Sequence, residues 1–136
     1  MLKQILYVIV QCTWGLPQTI AGLCVFLLCR LKGVSCCLYH GGICTHWQRG
    51  GGVSLGLFFF CEPGDRITAH EYGHTIQSLI LGPLYLFVIG LPSALWCNLK
   101  ICREYRRKTG RPYSWLYCEK WADILGDVFA ERNVKK

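Results

Sequence analysis

Two long stretches of this 136-residue chain lack any charged side chain: none lies between Lys3 and Arg30, and none between His74 and Lys100. Each gap is about the length a helix needs to cross a hydrocarbon core of roughly 30 Å. Together with an apolar fraction of 52%, they argue for a membrane protein rather than a soluble globule. Acidic residues are also few, eight against fifteen lysines and arginines, which leaves a net charge of +7. Such an excess would suit a nucleic-acid partner, but no nucleic-acid-binding module accompanies it. The basic residues instead flank the apolar stretches, with Arg30 and Lys32 after the first and residues 100–111 after the second. That is the placement of juxtamembrane charge, which sets topology and attracts anionic lipid. A lipid bilayer is therefore an expected partner, and nucleic acid is not.

Other absences narrow the organisation. No small-x-small cleavage site follows the first apolar run, which disfavours a removed signal peptide. No internal repeat or extended low-complexity segment is evident, and the length suits one domain. Ten cysteines would form a disulfide framework in a small secreted protein. Here Cys12, Cys24, Cys29 and Cys97 lie inside the apolar stretches, where a thiol behaves as a small hydrophobe. The set reads as mostly reduced and structural.

What is present predicts a mainly α membrane protein with a β-hairpin, forming a single membrane-embedded domain over 1–136. An N-terminal transmembrane helix is expected over 5–31, interrupted by Gly15 and Pro17. The segment 39–61 is rich in glycine, β-branched and aromatic residues. It reads as a β-hairpin, with strands over 43–47 and 53–60, a turn over 48–52, and the run Leu57-Phe58-Phe59-Phe60 buried against helix or lipid. Asp65 is a fair N-cap for a helix over 66–81, which should stop at Gly82-Pro83. The second apolar segment, 84–99, carries Gly90 and Pro92 near its middle and either spans or re-enters. A complete crossing would set the two basic flanks on opposite sides of the membrane, against the positive-inside rule. A re-entrant segment turning at Gly90-Leu91-Pro92 is therefore preferred. After a basic loop, an amphipathic helix is expected over 114–131.

The helix over 66–81 carries His70-Glu71-Tyr72-Gly73-His74. Four residues on a helix advance about 400°, so both imidazoles can reach one metal ion. Neutral imidazole suits zinc, and a catalytic zinc usually has three protein ligands and an open position. Glu71, next to the first ligand, can accept the proton of zinc-activated water and return it to a leaving amine. An acid–histidine cluster beside a long apolar segment is costly unless it binds something. The acids downstream are Glu104, Glu119, Asp123, Asp127 and Glu131, and no histidine follows His74. Glu119 and Asp123 stand at i and i+4 on the last helix. Glu119 is the expected third ligand, and Asp123 the group that takes the outer N–H of a ligand histidine. Gly73 and Ala122 would let the two helices approach closely.

The pair His-Glu-Tyr-Gly-His and Glu119-Lys120-Trp121-Ala122-Asp123 resembles the gluzincin pattern of zinc peptidases. The Ala-Asp ending and the apolar setting are most similar to the HtpX and CaaX-protease group. The stretch from Gly82-Pro83-Leu84 through Gly90-Leu91-Pro92-Ser93 also resembles short bacterial membrane proteins with the same histidine motif, a likeness that implies a family but no activity. The match covers the two motif helices, and the chain is far smaller than those peptidases, with fewer spans. The resemblance implies a metalloendopeptidase with one Zn2+ in the bacterial cell membrane, and the basic flanks of the re-entrant segment put its active site near the cytoplasmic face. Its substrate would be a peptide or membrane-protein segment. In many gluzincins a downstream histidine or tyrosine stabilises the oxyanion. Tyr113, Tyr117 or an arginine of the basic loop stands as the substitute here.

The hairpin either offers an edge to an extended peptide beside the metal or only covers the site. A second cluster, Cys36, Cys37, His40, Cys44 and His46, has soft ligands enough for a structural zinc, and strand alternation turns Cys44 and His46 to one face. Its spacing fits no paired-knuckle pattern, and His40 and His46 read better as polar hairpin residues. Two further functions compete with the peptidase. One is a membrane-anchored accessory protein that keeps the zinc fold without turnover. The other, a cationic membrane-disrupting protein, rests on charge and hydropathy alone.

Overall fold

The structure, a computed structural model, describes residues 1–130, so Glu131 at the end of the last expected helix lies outside the described residues. It is mostly helical with one small four-stranded sheet. The stretch expected as one transmembrane helix is two helices, α1 (Leu2–Thr13) and α2 (Leu16–Leu31), bent by 97°. Gly15 lies between them, and Pro17 sits in the first turn of α2, where its missing N–H costs nothing. The bend is held by polar side chains. Gln11 and Gln18 are fully buried, and Thr19 nearly so. Gln11 Nε2 donates to the Thr75 carbonyl at 2.9 Å, and Gln18 Nε2 donates to Ser78 Oγ at 2.8 Å and to the Gly82 carbonyl at 2.9 Å. The amides thus point inward and the leucines and isoleucines point out.

The sheet also differs from expectation. Its strands are β1 (Cys36–Tyr39), β2 (Gly42–His46), β3 (Gly52–Leu55) and β4 (Phe58–Cys61), in the order β1-β2-β4-β3. The expected turn over 48–52 does reverse the chain, but β2 and β3 do not pair. Instead β4 inserts between them, parallel to β2 and antiparallel to β3. The expected strand over 53–60 is two strands because Gly56 takes φ +65° in a two-residue loop. That is the left-handed conformation tight hairpins assign to glycine. The phenylalanines of β4 are buried, packing against Phe26 of α2 on one side and Tyr72 of the next helix on the other.

That helix, α3 (Asp65–Leu81), is the one expected, with Asp65 inside its first turn and Gly64 at the cap. It ends at Gly82, whose φ is +54° and where a Cβ would lie 2.2 Å from the Trp14 ring of the α1–α2 bend. The chain then turns through Gly82–Leu84 and a π-helical turn, Leu86–Gly90, into α4 (Leu91–Asn98), which lies at 119° to α3. Residues expected as a basic loop form α5 (Lys100–Thr109), closed by Gly110. After a short turn, Tyr113–Trp115, comes α6 (Tyr117–Ala130). Among the described residues no single helix is long and apolar enough to cross a membrane. Two bent pairs, α1 with α2 and α3 with the segment through α4, reach the length and composition together.

Candidate metal centre

Helices α3 and α6 meet at small residues. A Cβ on Gly73 would lie 2.0 Å from the Ala122 carbonyl oxygen, and one on Gly126 would lie 2.4 Å from that of Ala69. The close crossing sets the i, i+4 pair of α3 against the i, i+4 pair of α6. His70 Nε2 lies 3.1 Å and His74 Nε2 3.4 Å from one oxygen of Glu119, Oε2. These three donor atoms lie within 4.8 Å of one another, close enough to share an ion.

The outer ring nitrogens are fixed as well. Asp123 Oδ1 sits 2.7 Å from His70 Nδ1. Gln77 Oε1 sits 2.7 Å from His74 Nδ1. The Gln77 amide nitrogen donates to the Cys118 carbonyl at 2.8 Å, so its oxygen must be the acceptor toward His74. Both imidazoles are thereby held as Nδ1–H tautomers with the Nε2 lone pairs turned to the centre. Two imidazole nitrogens and a carboxylate oxygen are the donor set of a catalytic zinc site. Zinc fits these residues.

Hydrogen bonding within the site outweighs burial for two of its groups. Burial alone would lower His70, but hydrogen bonds from Glu119 and Asp123 outweigh it and push the imidazole up to about 9. Burial alone would raise Glu119, and the bonds from His70 and His74 instead hold it below the ordinary carboxylate range. Glu71 is raised by burial.

Glu71 lies beside the histidines and against strand β3. Its Oε2 is 2.6 Å from Ser54 Oγ, which is also 2.7 Å from the Glu71 carbonyl. A Cβ on Gly52 would lie 2.2 Å from Glu71 Oε1, so only glycine leaves the carboxylate its place. Tyr85, from the second apolar stretch, donates to the Ser54 carbonyl at 2.9 Å. Neither Ser54, Gln77 nor Tyr85 was identified from the sequence. Gln77 offered a signal, a lone amide three residues past a ligand histidine. Ser54 offered another, a lone hydroxyl between Val53 and Leu55. Tyr85 offered none.

The two tyrosines considered for the oxyanion part company. Tyr113 is partly exposed, with the Arg106 guanidinium over its ring, and desolvation and then the charge of Glu119 push its phenol up. Tyr117 is exposed and gives its hydroxyl to the Val88 carbonyl. Arg106 donates to the Trp96 carbonyl and stacks on Trp96 and Tyr113, while Arg111 stacks on Trp115 and Tyr105.

A second donor group is present. Cys37, Cys44 and His46 also hold three ligand atoms within 4.8 Å of one another. Cys36 and His40 of the sequence cluster are not among them. All ten cysteines are free thiols. Comparison with known protein families, with curated proteins and with solved structures finds no match.

Proposed function

We propose that the protein is a membrane-embedded zinc metallopeptidase of gluzincin type, cleaving a peptide or a membrane-protein segment. The observation that carries this reading is the convergence of His70 Nε2, His74 Nε2 and Glu119 Oε2, each imidazole locked from behind by Asp123 or Gln77. Zinc, when bound, supplies Lewis acidity that polarises a carbonyl and acidifies water toward neutrality. The remaining work falls to side chains. Glu71, raised by burial, is the base that takes a proton from water and returns it to the leaving amine. Ser54 orients its carboxylate. Strand β3 is an edge strand of the sheet and runs beside Glu71, so an extended substrate can be held by strand addition along it. With the Tyr117 hydroxyl engaged at the Val88 carbonyl, Tyr113 is the tyrosine assigned to donate to the developing oxyanion.

The membrane setting is part of the proposal. On α1 and α2 Gln11 and Gln18 are buried while Leu6, Ile9, Ile20, Leu27 and Leu28 are exposed, a surface suited to lipid. The bent helices and the re-entrant path of residues 84–99 then dip into one leaflet of the bacterial cell membrane, with the basic residues of α5 on the cytoplasmic side.

The direct test replaces Glu71 by glutamine and screens a peptide library by mass spectrometry. Cleavage should fall by about 100- to 10,000-fold while zinc is retained, the usual contribution of a general base. Undiminished cleavage of a genuine substrate would rule the mechanism out. A second reading, a zinc-binding accessory protein without turnover, draws on Tyr117 and on Arg106 and Arg111, all engaged elsewhere. It predicts zinc-loaded wild-type protein that cleaves nothing in the same library.

A further inference from the structure

We infer that Cys37, Cys44 and His46, with Cys61 as the fourth ligand, form a second metal site that takes a structural zinc and staples the sheet. Strand register brings the four together. Cys37 stands opposite Cys44 on β1 and β2, and His46 stands opposite Cys61 on β2 and β4. Alternation puts Cys44 and His46 on the same face of β2, so all four side chains share one face. That face is turned to α3, where Cys61 Sγ lies 3.7 Å from the Thr68 hydroxyl.

Cys37, Cys44 and His46 already hold their donors within 4.8 Å of one another, Cys61 joins them through its contact with Cys44, and the two contacts at the ends of the set match edges of a tetrahedral zinc site. Zinc bonds of about 2.3 Å to sulfur and about 2.05 Å to nitrogen imply edges of about 3.8 Å between two sulfurs and about 3.6 Å between sulfur and nitrogen. Cys44 Sγ is 3.8 Å from Cys61 Sγ, and Cys37 Sγ is 3.5 Å from His46 Nε2. Three thiolates and one imidazole are a ligand set of closed, structural sites, with no position left for substrate. Cys44 and Cys61 are fully buried, whereas Cys37 is exposed and His46 partly so, which leaves an entry path from the β1 side. The strands concerned are four or five residues long, and β1 is an edge strand whose side chains are mostly exposed. A zinc tying β1, β2 and β4 together would fix the platform on which β3 presents Ser54 and Gly52 to Glu71. This site is separate from the His70 centre, whose three donors include no sulfur, the nearby Cys118 thiol lying 3.8 Å from the other oxygen of Glu119.

Cobalt substitution in the full-length, detergent-purified protein separates the two. A cobalt ion bound by thiolates shows a sulfur-to-metal charge-transfer band that a His-His-Glu centre cannot give. The wild-type protein should show this band and bind two metals per chain. The band should persist in His70→Ala/His74→Ala and vanish in Cys37→Ser/His46→Gln, which should keep one metal. Cys37 and His46 are chosen because they are the accessible pair, so the core thiols stay in place. Cobalt bound without the band overturns the inference. So does a metal count unchanged in Cys37→Ser/His46→Gln, or a Cys44–Cys61 disulfide recovered from protein purified with zinc present.

Discussion

Gln77 does for His74 what Asp123 does for His70, and the two groups differ in charge. Asp123 is a carboxylate and raises the basicity of its imidazole, while Gln77 is neutral and chiefly fixes the tautomer. Removing either outer partner should weaken zinc by about 10- to 100-fold, with Asp123→Asn the larger effect and Gln77→Leu the smaller. Competition with a chelating dye of known affinity reads both, and equal affinities for wild type and both variants would contradict the assignment. His70, Glu71, His74, Glu119 and Asp123 could be read from the sequence because each lies four residues or fewer from its partner on one helix, a spacing set by local geometry alone. Ser54 and Tyr85 could not, because their roles arise only when a strand and a distant helix are folded against α3.

At the scale of elements, the contact of α3 with α6 depends on glycine. Gly73→Ala places a methyl carbon 2.0 Å from the Ala122 carbonyl, so the helices must separate. Overpacking of this kind costs about 1–3 kcal/mol, and here it also pulls Glu119 from the two imidazoles. Chemical denaturation should report the lower stability, and metal analysis a loss of zinc from the same variant. A variant as stable and as well loaded as wild type would show that the crossing is looser than described. The helix carrying the histidines was legible to within a residue, because its breakers, Gly64 and Gly82-Pro83, flank a clear motif. The sheet was legible only as a place where strands occur. Sequence shows a turn over 48–52 but not which strand comes to lie between its arms, since β4 enters by a non-local pairing. The bend at Gly15 was marked by its breakers. Its size depends on Gln11 and Gln18 finding partners on α3 sixty or more positions away.

At the scale of the whole molecule, Gln11, Gln18 and Gln77 are buried while many leucines and isoleucines are exposed, a surface that would suit lipid. The charge-free stretches led to the expectation of a spanning helix; the bent path leaves no single helix among the described residues long and apolar enough to span. If the bent helices enter one leaflet and α5 meets its headgroups, the protein should float with liposomes containing anionic lipid and resist extraction by high salt. Release by salt alone would reduce the membrane contact to α5. The zinc proposed between α3 and α6 is tested most directly by elemental analysis of detergent-purified protein. His74→Ala and Glu119→Ala should each lose about one zinc per chain relative to wild type, while Glu71→Gln loses none. Wild-type protein without zinc, or zinc retained in full by both ligand variants, would contradict the account.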